Sequence, residues 1–267
     1  MDRVVSGYAL VGCKRDVRMD RDTEIGGQQD RFPLTRGSII EGVRSDDPRS
    51  RERAWELLVA AYWKPIYKHI RMKWGASNEQ AKDWTQGFFA SAMEKSFVER
   101  YTAQKAGFRT YLRVCADGYV ANERKAAGRV KRGGDQRFVS LDFAEADAEF
   151  LRCRRPADDE ETYFDRECAR SLLERAIENF RVACEQADKR THYSLFERYD
   201  LHCAEGSQRP TYDQLAAEFN LPVTQVTNFL AWARRSFRGC VLGVLRELTA
   251  NDEEFRDETR RILGTIS

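Results

Sequence analysis

The spacing of apolar residues along this chain favours α-helices. In residues 52–63 the apolar side chains recur three and four positions apart, at Trp55, Leu58, Val59 and Tyr62, and this spacing places them on one helical face. No stretch alternates apolar and polar residues clearly enough to indicate a half-buried strand. The predicted fold class is therefore all-α, and 267 residues are enough for one or two domains with their own cores.

Residues that start and end helices divide this pattern into segments. Ser77 and Gln80 have the spacing of a capping box, which predicts a helix start, and Gly75 just before them suits the end of the preceding helix. Pro65 interrupts the first apolar pattern, and we expect a break or a kink there.

Periodicity and composition predict five parts. Residues 1–32 lack periodicity and are interpreted as a mobile arm, and residues 33–132 are predicted to form a first helical domain. Residues 133–164, which contain Pro156 and a run of acids, are interpreted as an acidic linker. Residues 165–248 are predicted to form a second helical domain, and residues 249–267 a helical tail. The expected architecture is two small helical bundles joined by the linker.

Charge is distributed unevenly, although the net charge is only +2. Residues 100–137 contain ten Lys or Arg against three Asp or Glu, whereas residues 142–165 contain nine acids against three Arg. The basic segment suits an anionic partner, and its interleaved aromatic residues suit nucleic acid, since cations hold phosphates and rings stack on unpaired bases. The alternative is that the aromatic residues form core and the cations a solvated face.

Other residue patterns narrow the class of protein. The seven Cys are scattered without CxxC spacing, which argues for free thiols in a reducing compartment. No signal-peptide core and no run of about 18 apolar residues occurs, so we expect a cytoplasmic protein without membrane contact. His69, His192 and His202 lie far apart, and no phosphate-binding loop or nucleophile motif is present. We therefore expect no metal, no cofactor and no enzymatic activity.

Residues 209–238 have the pattern of a helix-turn-helix. Thr211 and Gln214 form a second capping box, which predicts the start of a short helix. Asn220 tolerates the left-handed conformation that ends a helix, and Pro222 suits the first turn of the next.

The second helix of this motif is predicted to have two contrasting faces. Its apolar face carries Val226, Leu230, Ala233 and Phe237. The opposite face carries Thr224, Asn228, Ala231, Arg235 and Arg238, and no acid occurs in residues 219–246. Asn and Arg can make paired hydrogen bonds to adenine and guanine, while Thr and Ala suit thymine methyl groups. The alternative is an ordinary helical hairpin with a solvated basic face.

These motifs, in this order, resemble the bacterial RNA polymerase sigma factors of the extracytoplasmic-function type, over residues of about 35–248. "NEQAKDWTQGFF" resembles the helix that docks on the polymerase clamp, and "FRTYLRVCADGYVANERKAAGR" the helix that melts and reads the minus-ten element. "YDQLAAEFNLPVTQVTNFLAWARRSFR" resembles the region 4 helix-turn-helix that reads the minus-thirty-five element. The resemblance implies a sigma region 2 bundle, a region 4 domain, promoter DNA as ligand and core RNA polymerase as partner, through its β′ clamp and β flap.

The resemblance also assigns roles to individual residues. Those expected to bind core polymerase are Asp83, Trp84, Gln86 and Phe89. Those expected at the minus-ten element are Arg109, Tyr111, Arg113, Tyr119, Asn122, Arg124, Lys125 and Arg129. Those expected at the minus-thirty-five element are Thr224, Thr227, Asn228, Ala231, Trp232, Arg235 and Arg238. The acidic linker would lie in the nucleic-acid channels of the polymerase and imitate nucleic-acid charge, or else it is a solvated tether.

The docking motif departs from the pattern of the family that the chain resembles, which suggests a form of regulation. Most relatives carry an acidic cluster before the position of Trp84, whereas Gln80 and Lys82 stand here beside Asp83. A phosphate on Thr85 would restore the lost negative charge, so we hypothesise activation by a Ser/Thr protein kinase. The alternatives are that Thr85 is simply a polar helix residue or that the clamp has adapted. An anti-sigma factor is a second candidate regulator.

Three classes of function compete. The leading hypothesis is a promoter-specificity subunit without catalysis of its own, favoured by the docking helix and the aromatic, basic helix together. The alternative is a conventional helix-turn-helix DNA-binding regulator that does not act through polymerase docking. A nucleic-acid enzyme is disfavoured because the sequence has no metal-ligand cluster.

Overall fold

A computed structural model of the chain describes residues 38–95, 97–103, 105–126, 141–153, 159–201 and 209–266, so the predicted arm of residues 1–32 lies outside the described part. The described residues are helical and contain no strand, which confirms the all-α class. The helices are α1 (Ile39–Val43), α2 (Pro48–Trp74), α3 (Asn78–Glu94), α4 (Phe108–Ala126), α5 (Phe143–Cys153), α6 (Glu160–Gln186), α7 (Arg190–Phe196), α8 (Tyr212–Phe219), α9 (Val223–Leu248) and α10 (Asp252–Ile266). None of the helices seen there combines the length and apolarity that crossing a bilayer requires.

The described residues fall into two compact units. The first comprises residues 38–172 and 245–262, and the second residues 173–244 and 263–266. The first unit therefore holds α1 to α5, the beginning of α6 and most of α10. The second holds α7, α8 and most of α9.

The helix boundary between α2 and α3 follows the predicted caps. The Ser77 hydroxyl accepts from the Gln80 backbone N–H at 3.2 Å, and the Gln80 side chain accepts from the Ser77 N–H at 3.2 Å. Gly75 ends α2 in the left-handed conformation, with φ of 58°. Both features confirm the sequence prediction, because local hydrogen bonding and backbone conformation decide them.

α2 is the central element of the first unit. Every side chain from residue 61 to residue 70 is buried except that of Lys64, which is half-buried. Helices α3, α4 and α5 pack against α2, so it has no solvent-facing side over this length. The largest side chains that its middle buries completely are Tyr67, Lys68, Ile66 and Ile70.

The segment interpreted as an acidic linker contains a packed helix. In α5, Phe143, Ala146 and Phe150 are buried, at the spacing of one helical face. The Phe143 ring lies 5.2 Å from that of Trp63 and 5.3 Å from that of Tyr67, both on α2. The described part of this segment is thus not a solvated tether, because its aromatic stripe has a partner.

The acids of α5 meet cations and a phenol of α2. Asp147 accepts from the Tyr67 hydroxyl at 2.8 Å and lies 3.0 Å from the Arg71 guanidinium. The Lys64 ammonium lies 3.4 Å from both Glu145 and Glu149. These acids hold α5 on α2. The local charge of the sequence did not predict this role.

A buried cation joins three helices of the first unit. The Lys68 side chain on α2 is 1 % exposed, and its ammonium donates to Glu149 of α5 and Glu167 of α6, both at 2.6 Å. Burial alone would raise the pKa of Glu149, but the hydrogen bond from Lys68 and the nearby positive charges hold it below its ordinary value. Desolvation offsets much of the attraction in such a cluster, but removing any one partner would leave a buried charge without compensation.

α2 runs unbroken past Pro65, so the break expected there does not occur. Proline has no N–H, and the carbonyl of Ala61, four residues earlier, therefore lacks its usual helical donor. The Ser171 hydroxyl of α6 donates to that carbonyl at 2.9 Å. A side chain from a neighbouring helix thus satisfies the acceptor that the proline leaves open.

The second unit is built around two clusters of buried side chains. One contains Phe180, Cys184, Phe196 and Ala233. The other contains Leu195, Leu215, Val226 and Leu230. Because α9 contributes to both clusters, its buried face fixes its rotation about its own axis.

We expect Ser171→Ala to destabilise the protein by about 1–3 kcal/mol, because the Ala61 carbonyl would be left buried without a donor. In a Pro65→Ala background the restored N–H can satisfy that carbonyl, so the same change should cost less. Urea unfolding of the four proteins of this double-mutant cycle measures the difference. Equal losses in the two backgrounds would show that the hydroxyl does not replace the missing donor.

Candidate nucleic-acid interface

α8 and α9 are joined by a three-residue turn, as a helix-turn-helix requires. The Thr211 hydroxyl accepts from the Gln214 backbone N–H at 3.2 Å, and the Gln214 side chain accepts from the Thr211 N–H at 2.8 Å. Asn220 ends α8 with φ of 52°, and the Leu221 N–H closes the turn by donating to the Ala216 carbonyl at 2.9 Å. The predicted capping box and left-handed Asn are both confirmed.

α9 has one buried and one exposed face. On the buried face Val226, Leu230 and Ala233 are each 1 % exposed or less. The exposed face carries Thr224, Asn228, Ala231, Arg235 and Arg238. Most of the residues expected at the minus-thirty-five element therefore lie at the surface, in the row that the periodicity predicts.

Thr227 and Trp232 were also expected at the minus-thirty-five element, but neither lies in the exposed row. Thr227 is half-buried, and its hydroxyl donates to the Thr224 carbonyl at 2.9 Å. Trp232 is half-buried and packs on the cluster that contains Phe180 and Ala233, with its ring 6.3 Å from the Phe180 ring. We therefore interpret Trp232 as a packing residue at the edge of the exposed face, which differs from its expected contact with bases.

Arg234, on the edge of α9 away from Trp232, and Arg209, which precedes α8, both bind Asp200. The Arg234 guanidinium donates to both Asp200 carboxylate oxygens at 3.0 and 3.1 Å, and Arg209 reaches the same carboxylate at 3.1 Å. Both guanidinium groups lie over the Tyr199 ring, at 5.3 and 4.4 Å. Asp200 thereby cancels part of the positive charge beside the exposed face.

Arg109, the first cation of α4, lies inside the first unit. Its side chain is 8 % exposed, with Nη2 at 2.9 Å from Glu258 of α10 and Nε at 3.2 Å from Asp165 of α6. Burial raises the pKa of Glu258, although Arg109 and Arg261 oppose that rise. This position differs from the role expected at the minus-ten element, because a buried, paired guanidinium cannot also bind phosphate.

α10 also supplies an acid to the start of α4. The Glu254 carboxylate accepts from the backbone N–H of Phe108 and, at 3.1 Å, from the Tyr101 hydroxyl. A carboxylate is stabilising at a helix N-terminus, where N–H groups lack helical partners. Neither acid of α10 was predicted to pair with α4, although Glu254 and Glu258 have the spacing of one helical face.

Two further residues expected at the minus-ten element make internal contacts. The Tyr111 ring stacks on Phe97 at 5.3 Å, and its hydroxyl donates to the Phe97 carbonyl at 2.9 Å. The Arg113 guanidinium lies 2.9 Å from Glu161 of α6. Both side chains are half-buried, so they contribute to packing in this state of the molecule.

Tyr119 lies where α4 closely approaches α3. Its ring packs edge-to-face on Phe88 at 6.1 Å, and a Cβ placed at Gly87 would lie only 2.2 Å from its hydroxyl oxygen. Glycine at this position therefore permits the close approach. Burial and the charges of Glu123 and Asp83 raise the pKa of Tyr119 to about 12, so the hydroxyl stays neutral near pH 7.

The exposed part of α4 is its C-terminal end. Asn122, Arg124 and Lys125 are exposed, and the Arg124 guanidinium lies 5.5 Å from the centre of the Trp74 ring. Arg129 lies outside the described residues. In the first unit the described candidates for nucleic-acid contact are thus concentrated in the last turns of α4.

Asp117, in the middle of α4, joins this helix to α2 and was not singled out from the sequence. Its carboxylate lies 2.9 Å from His69 Nε2 and accepts from Lys73 at 2.9 Å and from the Trp74 indole at 3.1 Å. Burial would raise the pKa of Asp117, but these partners, His69 foremost, lower it to about 2. The carboxylate is therefore ionised near neutral pH. The i, i+4 spacing places His69 and Lys73 on one face of α2, but their partner lies 48 and 44 residues away in the sequence.

α3 presents only part of the set expected to bind core polymerase. Asp83 is exposed, and Trp84 and Gln86 are half-buried. Phe89 is 2 % exposed and packs on Phe88, with the ring centres 5.1 Å apart. Phe89 is thus a core residue, which leaves Asp83, Trp84 and Gln86 as candidates for contact with a partner.

Thr85 is completely buried in α3. Its hydroxyl donates to the Ala81 carbonyl at 2.6 Å, on the same buried stripe as Phe88 and Phe89. A kinase could reach this hydroxyl only if α3 left the bundle. When α3 packed again, the phosphate would be buried among apolar side chains. The phosphorylation hypothesis does not fit this position, and we do not retain it.

Comparison with known protein families, with curated proteins and with solved structures finds no match to this chain. The function is therefore inferred from the chain's own residues. The two surfaces that carry this inference are the exposed face of α9 and the C-terminal end of α4.

We expect Arg109→Ala to lower the free energy of unfolding by about 3–5 kcal/mol, because Glu258 and Asp165 would lose their buried counter-charge. Lys125→Ala, which removes an exposed cation from the same helix, should change it by no more than about 0.5 kcal/mol. Chemical denaturation of both variants tests the difference. A neutral effect of Arg109→Ala would contradict the structural role and return this residue to the set of nucleic-acid contacts.

Proposed function

We propose that this chain is a transcription initiation factor of the sigma type, which binds core RNA polymerase and directs it to promoter DNA. The observation that most supports the proposal is the exposed face of α9, with Thr224, Asn228, Ala231, Arg235 and Arg238 in one row. A helix fits the major groove of a duplex, where these side-chain types match the edges of base pairs. No acid from residue 219 to residue 246 opposes the approach of phosphates.

The end of α4 provides the second part of the proposed mechanism. Asn122, Arg124 and Lys125 offer a polar group and two cations at the surface, next to the half-buried ring of Tyr119. Strand opening needs groups that hold unpaired bases and the phosphates of a separated strand, and this combination of residue types suits that task. Asp83, Trp84 and Gln86 on α3 would contact the polymerase clamp, as the resemblance of the motif implies.

A conventional DNA-binding regulator is the second candidate function. Arg109 and Phe89 are engaged in the interior, so fewer residues remain for the minus-ten element and for polymerase than the resemblance assigned. A regulator of this kind would bind duplex DNA through α9 but would not enable core polymerase to initiate.

Initiation by the reconstituted enzyme distinguishes the two candidates. The purified chain is added to sigma-free core polymerase of the same organism, and transcripts from a library of genomic fragments are mapped. We expect initiation at sites that core polymerase alone ignores. Asp83→Lys should abolish initiation while leaving duplex binding unchanged, because the proposed docking face lies on α3 and the base-reading row on α9. Duplex binding without any initiation would favour the regulator.

Base contacts by α9 are tested by Asn228→Ala and Arg235→Ala. Each should weaken binding to a duplex selected from a randomised pool by about 1–3 kcal/mol, because a paired hydrogen bond to a base is lost. Arg181→Ala, which removes a cation from α6 in the same unit, serves as the control for net charge. Electrophoretic mobility shifts on selected and on random duplexes give the affinities. Equal losses on both would identify phosphate contacts or structural residues instead.

A further inference from the structure

We propose that Lys189 and Arg190, at the start of α7, form a phosphate-binding site along one edge of α9. The ligand class is the sugar-phosphate backbone of a DNA duplex whose major groove is occupied by the exposed face of α9. The inference rests on the proposed DNA-binding function and adds a contact outside the helix-turn-helix motif.

Lys189 is held against α9 by an aromatic ring. Its ammonium lies 4.0 Å from the centre of the Trp232 ring, a distance at which the ring face attracts a cation. Trp232 in turn packs on the buried cluster that contains Phe180 and Ala233. The charge of Lys189 is therefore positioned beside α9 before any ligand arrives, which reduces the entropy that binding must overcome.

The position of Trp232 places this charge next to the proposed base-reading row. Trp232 follows Asn228 by four residues and precedes Arg235 by three, so it is a surface neighbour of both along the helix. A major groove is about 12 Å wide, with a phosphate backbone along each side. A cation at the edge of a helix in the groove therefore meets phosphate, whereas residues in the central row meet bases.

His192 holds α7 against the same edge of α9. Its ring stacks on Phe229 of α9 at 3.9 Å and meets the Trp232 ring edge-to-face at 5.0 Å. Burial, and after it the charge of Lys189, lowers the pKa of His192, so this ring is neutral near pH 7 and serves as a spacer. Arg190, the first residue of α7, is exposed and adds a second cation to the site.

On the opposite edge of α9 Asp200 binds Arg234 and Arg209, which reduces their attraction for phosphate. Asp188 precedes Lys189 in the sequence and is exposed, with φ of 54°. Its charge opposes a phosphate at Lys189, and it therefore offers a variant that should strengthen the site.

Salt-dependent binding of the full chain tests the proposal. The probe is a fluorescein-labelled duplex of mixed sequence, two helical turns long, titrated at several KCl concentrations. Lys189→Ala and Arg190→Ala should each reduce the slope of log affinity against log salt by about 1, because one phosphate contact is lost. Lys189→Arg should keep the slope, since a guanidinium also stacks on an aromatic face. Asp188→Asn should strengthen binding, and Asn tolerates the left-handed backbone.

The outcomes separate this site from the function on which it rests. Arg181→Ala removes a cation from α6 and should leave the slope unchanged. If Lys189→Ala and Arg190→Ala also leave the slope unchanged while Arg235→Ala lowers affinity, the phosphate site is wrong and DNA binding stands. A loss in Arg181→Ala equal to that in Lys189→Ala would show a net-charge effect and overturn the site. If the unsubstituted chain binds no duplex, the proposed function itself fails. Circular dichroism checks folding, and Lys189→Gln replaces Lys189→Ala if the latter is unfolded.

Discussion

The packing of the first unit depends on compensating one charge, that of Lys68. This ammonium lies in the part of α2 that is surrounded by other helices, where an uncompensated charge would be very costly. Glu149 and Glu167 compensate it only when α5 and α6 are both docked in register. The same logic recurs at Arg109, whose counter-charges come from α6 and α10, and at Asp117, which joins α4 to α2. Ion pairs thus join helices of the first unit that are far apart in the sequence.

The ion pairs inside the first unit determine which of its charges remain at the surface. The net charge of +2 is small, yet buried acids neutralise buried cations, so the sign of each surface region is set by the residues left outside. Arg235 and Arg238 are exposed on α9, and Arg124 and Lys125 at the end of α4. The two surfaces proposed for nucleic acid are therefore those where the cations of their helices reach solvent.

The features that local rules decide could be predicted from the sequence. The all-α class, the capping boxes at Ser77 and Thr211 and the left-handed Asn220 depend on residues within one or two turns of each other. The exposed row of α9 follows from helical period alone. Thr85 and Phe89 were predicted from their chemistry to be accessible, whereas the helical period puts both on the buried stripe of Ala81. Arg109 could not be placed, since its partner Glu258 is far away in sequence and many other acids could have met it.

The contact between Tyr119 and Gly87 limits which residues position 87 can hold. A side chain there would overlap the Tyr119 hydroxyl, so the ring would have to move first. That movement would also disturb the edge-to-face contact of Tyr119 with Phe88, the neighbour of Gly87 on α3. The absence of a side chain at position 87 is thus what lets the tyrosine of one helix approach the backbone of the other.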